Sequence, residues 1–366
     1  MLKPRPNILK IQPYEPGKPI DEVKRELGLR QIVKLASNEN PLGPSPKAAR
    51  AIRNYLSQIH RYPDGGCFYL KKALAEFLKI NPVQLILGNG SNEIIELVAR
   101  AYLTEEDEVL LAEPSFLVYR LIVEAIGVRA VTVALKNFRY DLAGMAQKLN
   151  SKIRVVFIAN PDNPTGTYVS DKELNQFIEK VSQEATLVVL DEAYREFVDA
   201  DDFPQSFRYL DRGNVLILRT FSKAFGLAGL RIGYGVGSPS VIESLHRVRQ
   251  PFNVNSLAQI AALSALRDGI HLQRTQKTVW EGKKFWYRSL EELGLRYIPT
   301  QANFILVDVQ CDGTLLFQKM LRSGVIIRDM RAYGLNQYVR ITIGTQQENQ
   351  KCLLVLKKRL KEMINP

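Results

Sequence analysis

Residues 214–234 read Asn-Val-Leu-Ile-Leu-Arg-Thr-Phe-Ser-Lys-Ala-Phe-Gly-Leu-Ala-Gly-Leu-Arg-Ile-Gly-Tyr. The stretch opens as an apolar run, Val215 to Leu218, which reads as a buried strand. It then breaks into Thr220, Ser222 and Lys223, followed by Gly226 and Gly229. Glycines permit tight turns and close backbone approach to a ligand. The hydroxyls of Thr220 and Ser222 and the charge of Arg231 suit an anion held beside an amine. A lysine becomes nucleophilic when desolvated or placed near another cation, because both lower its pKa. Lys223 is therefore a candidate to condense with a carbonyl. The plainer reading is a solvated loop lysine in a chain with 50 Lys plus Arg.

Two further stretches favour chemistry. Residues 153–166, Ile-Arg-Val-Val-Phe-Ile-Ala-Asn-Pro-Asp-Asn-Pro-Thr-Gly, read as a buried strand running into a turn. Residues 186–194, Thr-Leu-Val-Val-Leu-Asp-Glu-Ala-Tyr, read as a second strand ending at Asp191. The three runs thus deliver Asn163, Asp191 with Tyr194, and Lys223 at their ends. In parallel α/β sheets, ligands sit outside the carboxyl ends of the strands. A buried Asp pairs with a protonated pyridine nitrogen, Tyr and Asn suit a phenolic oxygen, and Lys suits an aldehyde. That set fits a pyridoxal 5'-phosphate site.

The ordered set Asn-Pro-Thr-Gly, Asp-Glu-Ala-Tyr and the Lys223 stretch resembles the fold-type-I aminotransferases. Within them it is most similar to the histidinol-phosphate aminotransferases, over nearly the whole chain. The resemblance implies an α/β fold of that type. A large domain, residues 38–252, would hold a mostly parallel mixed sheet flanked by helices. A smaller α+β domain would combine the arm, residues 1–37, with residues 253–366. It implies pyridoxal 5'-phosphate bound through Lys223, with Asp191 at the ring nitrogen and a pKa depressed by the positive ring. Asn163 and Tyr194 would meet the phenolic oxygen. Gly90, Ser91, Asn92, Ser222 and Arg231 would hold the phosphate. Phe116 would stack on the ring where many relatives carry Tyr. Tyr62 would reach the phosphate of a neighbouring subunit, which implies a homodimer. Tyr14, Asn163, Arg328 and Arg340 would contact substrate.

Several of these positions also have structural readings. The turn Gly88-Asn89-Gly90-Ser91-Asn92 opens a helix, and such a turn offers free N–H groups to a phosphate, though it can also serve only as a cap. Phe116 could be core, and Tyr14 and Tyr62 plain surface aromatics. Arg328 and Arg340 sit in apolar strand settings where a free charge is costly. Structural ion pairs would satisfy them, as would substrate anions, whose geometry matches the guanidinium fork.

Composition narrows the classes. With 366 residues, two packed domains are expected, and 46% hydrophobic with 24% charged residues fits a globular enzyme. No apolar run is long enough to span a bilayer, and the first residues lack a secretory core. Cys67, Cys311 and Cys352 form neither a disulfide framework nor a metal motif, and suit a reducing cytoplasm. With three His, no metal centre is expected. The net charge of +12 could signal nucleic acid, but the basic residues are scattered and no recognition motif appears.

The resemblance implies small-molecule partners, L-histidinol phosphate and 2-oxoglutarate, converted to imidazole acetol phosphate and L-glutamate. Fold cannot separate this reaction from its neighbours. A broad aromatic-amino-acid aminotransferase and a phosphothreonine decarboxylase share the fold. A cofactor-binding regulator would also need a DNA-binding module, for which no residues remain.

Overall fold

The computed structural model describes residues 2–14, 17–182 and 185–364; Glu15 and Pro16 of the proline-rich arm lie outside the described residues. The arm carries α1 (Ile20–Leu27) and β1 (Val33–Lys34). The next stretch holds α2 (Pro46–Tyr55), α3 (Phe68–Leu78), β2 (Leu85–Gly88), α4 (Ser91–Tyr102), β3 (Glu108–Glu113), α5 (Leu117–Ile126) and β4 (Arg129–Ala134). Then come α6 (Leu142–Gln147), β5 (Ile153–Ala159), α7 (Asp171–Val181), β6 (Leu187–Asp191), β7 (Val215–Thr220), β8 (Gly233–Gly237), α8 (Pro239–Val248) and α9 (Ser256–Leu266). The chain closes with α10 (Gly269–Glu292), β9 (Arg296–Ile298), β10 (Phe304–Asp308), α11 (Gly313–Leu321), β11 (Val325–Ile326), β12 (Arg328–Asp329), β13 (Tyr338–Thr342) and α12 (Gln346–Ile364).

The seven-stranded sheet has the order β2-β8-β7-β6-β5-β3-β4, and β8 alone runs against the rest. The three strands singled out in the sequence are immediate neighbours, β5 beside β6 and β6 beside β7. Their continuous apolar character follows from burial on both faces. Along β7, Val215 and Ile217 face one core while Leu216 and Leu218 face the other. Helices cover each face, so side chains can reach open space only beyond the strand ends.

The second sheet, β12-β13-β10-β9, encloses a separate core around Trp286, Phe304, Ile305 and Ile341. The run Val325 to Arg328, which reads as one strand, is divided. Val325 and Ile326 pair in parallel with Val33 and Lys34, whereas Arg328 pairs with Arg340. The arm is thereby bonded to this smaller unit.

One boundary needs correction. The return to the small domain was expected at residue 253, yet Ala258, Ala261, Ala262 and Ala265 of α9 pack in the core of the large sheet. These small side chains let α9 lie close against α2 and α3. We therefore place the return after α9, where α10 begins.

Candidate active site

β7 delivers Thr220 at its end, and the loop that follows turns back on itself. Ser222 N–H donates to Thr220 Oγ1 at 3.0 Å, and Leu227 N–H donates to the Phe221 carbonyl at 3.0 Å. Gly226, at φ +69°, lies so close to the Gly43 carbonyl that a Cβ would collide with it. The loop therefore has no slack, and Lys223 is directed into a cavity of about 280 Å³ beyond the sheet.

That cavity gathers most of the expected residues. Tyr14, Ser91, Asn92, Phe116, Asn163, Asp191, Tyr194, Ser222, Lys223, Arg231, Arg328 and Arg340 all line it. Two expected residues do not. Gly90 stands just behind the wall as the cap of α4, at φ +80°, where a Cβ would strike the Arg231 guanidinium. Tyr62 is 84% exposed and stacks on Phe252 with ring centroids 4.9 Å apart, away from this chain's own cavity.

Lys223 Nζ donates to the Ser37 carbonyl at 3.2 Å and lies 5.7 Å from the Tyr194 ring centre. Desolvation, then the nearby positive charge of Arg340 and Arg231, lowers its pKa to about 8. A substantial fraction of this amine is thus unprotonated just above neutrality, as a nucleophile or base requires.

Asp191 is buried at the end of β6. Its Oδ2 accepts from the Tyr119 hydroxyl at 2.8 Å and its Oδ1 from Ala193 N–H at 3.1 Å. Burial pushes its pKa up to about 6, against the lowering effect of those two hydrogen bonds. The depressed value expected from the sequence is that of the carboxylate facing the positive ring of the cofactor. Among the chain's own groups desolvation outweighs the attraction of Lys223, and depression would need a cation directly opposite the carboxylate.

The cationic side chains of the cavity come from three segments. Arg340, buried in β13, donates to Asn163 Oδ1 and to the Ala36 carbonyl at 3.0 Å. Its Nε is buried without a partner among the described residues. Its guanidinium also stands 5.0 Å from the Phe304 ring centre. Arg328 lies 5.8 Å from the ring centre of Tyr14. Across the cavity, Arg231 donates to Ser222 Oγ at 3.4 Å beside the start of α4. Two separated cationic ends therefore flank Lys223, one at Arg231 and one at Arg340.

Three lining residues were missed in the sequence. Tyr119 stands on α5, one helical turn after Phe116, and stacks on Phe157 at 4.8 Å. The Phe116–Tyr119 spacing was the available signal. Asn38 donates to the Tyr194 hydroxyl at 3.0 Å and accepts from Thr342 Oγ1 at 3.1 Å, joining the two halves of the site. Tyr333 lies near Arg340, Tyr14 and Arg328, and burial pushes its phenol up to about 12.

The donor set fits pyridoxal phosphate. Arg231, Ser222 and the N–H groups of Ser91 and Asn92 suit a phosphate at a helix start. Phe116 offers a ring face, Asp191 a buried acceptor and Lys223 a desolvated amine. The unpaired Nε of buried Arg340 calls for a further acceptor.

The profile of the family described as Aminotransferase class I and II matches residues 30–356. The chain is 48% identical over 360 residues to the histidinol-phosphate aminotransferase of Moorella thermoacetica, covering 98% of this chain and 93% of that one. It is 44% identical over 354 residues to that of Caldicellulosiruptor saccharolyticus, covering 96% and 99%. The crystal structure of histidinol-phosphate aminotransferase from Sinorhizobium meliloti in complex with pyridoxal-5'-phosphate superposes with a TM-score of 0.91, at 27% identity and 99% coverage of both chains. The lysine-centred cavity and these likenesses agree: the chain belongs to the class I and II aminotransferases and, within them, to the histidinol-phosphate aminotransferases.

Proposed function

We propose that this protein transfers the amino group of L-histidinol phosphate to 2-oxoglutarate, forming imidazole acetol phosphate and L-glutamate in histidine biosynthesis. The observation that carries the reading is the placement of Lys223. Its depressed amine stands in one cavity with buried Asp191 and between two cationic ends, Arg231 and Arg340. One end suits the phosphate of the cofactor and the other the anion of a substrate.

Pyridoxal phosphate supplies, when bound, an aldehyde that takes up amines and a ring that accepts the electron pair left when a Cα–H bond breaks. Arg231, Ser222, Ser91 and Asn92 would bind its phosphate, with Gly90 forming the turn, and Phe116 would cover its ring. Asp191, fixed by Tyr119 and Ala193, would hold the proton on the ring nitrogen. Asn163 and Tyr194 would orient the phenolic oxygen. Lys223 would hold the aldehyde carbon at rest. Once displaced by substrate, Nζ would carry a proton between the substrate Cα and that carbon. Arg340, with Arg328, would bind the phosphate of histidinol phosphate and then a carboxylate of 2-oxoglutarate. Tyr14 would face the imidazole.

The assembly we propose is a homodimer in the cytoplasm. Exposed Tyr62 stacks on exposed Phe252, exposed Phe68 meets exposed Tyr69 edge-on, and such exposed aromatics suit a second copy. Among the described residues no helix is long and apolar enough to cross a membrane.

A half-reaction tests the substrate. Purified protein loaded with pyridoxal phosphate is mixed with histidinol phosphate, or separately with phenylalanine, and the cofactor absorbance is followed. Rapid conversion by histidinol phosphate alone is expected. Equal conversion by phenylalanine would move the assignment to an aromatic aminotransferase. Conversion by neither would exclude transamination of this class of substrate.

A further inference from the structure

The turn that begins α4 does not stand on its own hydrogen bonds. Asn89 N–H donates to Glu93 Oε2 at 2.5 Å, so the Glu93 side chain reaches back across the first turn of its own helix. The same oxygen accepts from Asn253 Nδ2 at 2.7 Å, from a loop 160 residues away. Asn253 Nδ2 also donates to the Leu87 carbonyl at 3.1 Å, on the strand that enters the turn. Arg249 NH1 in turn donates to Asn253 Oδ1 at 2.7 Å. Neither Glu93 nor Asn253 lines the cavity, while Ser91 and Asn92 do.

The chemistry of this arrangement is specific. A carboxylate in the first turn of a helix, close to an expected phosphate site, would oppose an anion if it faced the cavity. Here neither it nor its partner Asn253 lines the cavity. It takes up Asn89 N–H, while Ser91 and Asn92 line the cavity. The amide of Asn253 ties that carboxylate to β2. The strand, through the Leu87 carbonyl, and the turn and helix start, through Glu93 Oε2, are thus held to a distant loop by one amide nitrogen, and a preorganised donor set binds an anion without the cost of ordering itself.

We infer that Glu93 and Asn253 are positioning residues that brace the N-terminal turn of α4 for the cofactor's phosphate. The inference rests on the proposal that this turn binds the phosphate of pyridoxal phosphate. Asn253 sets the depth of the turn through Leu87 and Glu93, and Arg249 sets the amide's orientation. Neither residue touches the reacting atoms, so both act on the phosphate and not on the aldehyde.

The test compares two probes that differ only in that group. Cofactor-free protein is titrated with pyridoxal phosphate and with pyridoxal, followed by absorbance and by quenching of Trp fluorescence. Glu93→Ala is expected to weaken pyridoxal phosphate by about tenfold, the scale of one lost charge-assisted hydrogen bond, with pyridoxal unchanged. Asn253→Ala is expected to weaken it by about threefold, less than Glu93→Ala because the carboxylate keeps its bond from Asn89 N–H. Glu93→Gln, which keeps an acceptor in place, is expected to recover most of the loss. Unchanged phosphate affinity in both alanine variants overturns the brace, and so does equal weakening of both probes, since that is a general loosening. Arg231→Ala serves as the control. If it too leaves pyridoxal phosphate affinity intact, the phosphate site itself is wrongly placed, and the brace falls with it.

Discussion

The hydroxyl of Tyr119 donates to the carboxylate of Asp191 at 2.8 Å from a helix on the far side of two intervening strands' worth of chain. Burial pushes this carboxyl's pKa up, and the Tyr119 bond is the largest effect acting the other way. Replacing Tyr119 with Phe keeps the ring stacked on Phe157 but removes that bond. The variant is expected to lose about tenfold in kcat, on the scale of a hydrogen bond to a charged group, with little change in KM. Steady-state kinetics read this directly. An unchanged kcat would mean that Asp191 needs no support from Tyr119.

Lys223→Ala is expected to abolish turnover and the visible absorbance of the bound cofactor, while the protein stays folded. Loss of this side chain leaves no other amine at the end of β7. Full activity in the variant would sink the proposed chemistry.

The depressed pKa of Lys223 also predicts a pH effect on stability. In the unfolded chain this amine titrates near its ordinary 10.5, and in the folded chain near 8. Between those values the unfolded state binds more protons, so unfolding becomes harder as pH rises. Below about pH 8 the folded state carries the full cost of a buried charge. Cofactor-free wild type should therefore gain stability relative to Lys223→Met from about pH 8 to 10.5, by on the order of a few kcal/mol. Denaturant unfolding of both proteins across that window measures the difference. A constant difference would show that the amine is solvated.

Arg340→Ala is expected to raise KM for both substrates by at least about tenfold, the scale of a charge-assisted hydrogen bond lost at a buried site. An effect confined to one substrate would show that the anion site is not shared.

Tyr62 offers a test of the dimer. Tyr62→Ala should bind the cofactor more weakly, and Lys223→Ala should be inactive. Mixed dimers would contain one site with both residues intact. Recovered activity on mixing the two variants is expected. No recovery would place Tyr62 outside the partner's site.

The chemistry at the ends of β5, β6 and β7 was legible because each strand is a continuous apolar run that stops at polar residues. Burial on both faces enforces that pattern, and ligand binding enforces its ending. What lay outside the strands was less legible. Tyr119 occupies a helix position where an aromatic residue serves packing equally well. Asn38, Glu93 and Asn253 act through partners 156, 160 and more residues distant, and no local period encodes such pairs. The place of α9 was hidden for another reason. Its sequence, Ser-Leu-Ala-Gln-Ile-Ala-Ala-Leu-Ser-Ala-Leu, has no one-sided apolar stripe to show which core it joins.

The ladder between β1 and β11 has a mechanical consequence. Leu35 N–H donates to the Ile326 carbonyl at 2.7 Å, and Thr342 N–H donates to the Leu35 carbonyl at 2.8 Å. Two residues further on, the Ser37 carbonyl accepts from Lys223. The arm is therefore geared to the smaller unit, and its far end rests on the reactive amine. The backbone that holds β11 and β13 through Leu35 is thus the same peptide that, at Ser37, holds Lys223 Nζ. The small sheet and the Lys223 amine therefore share one short tether, residues 35–37.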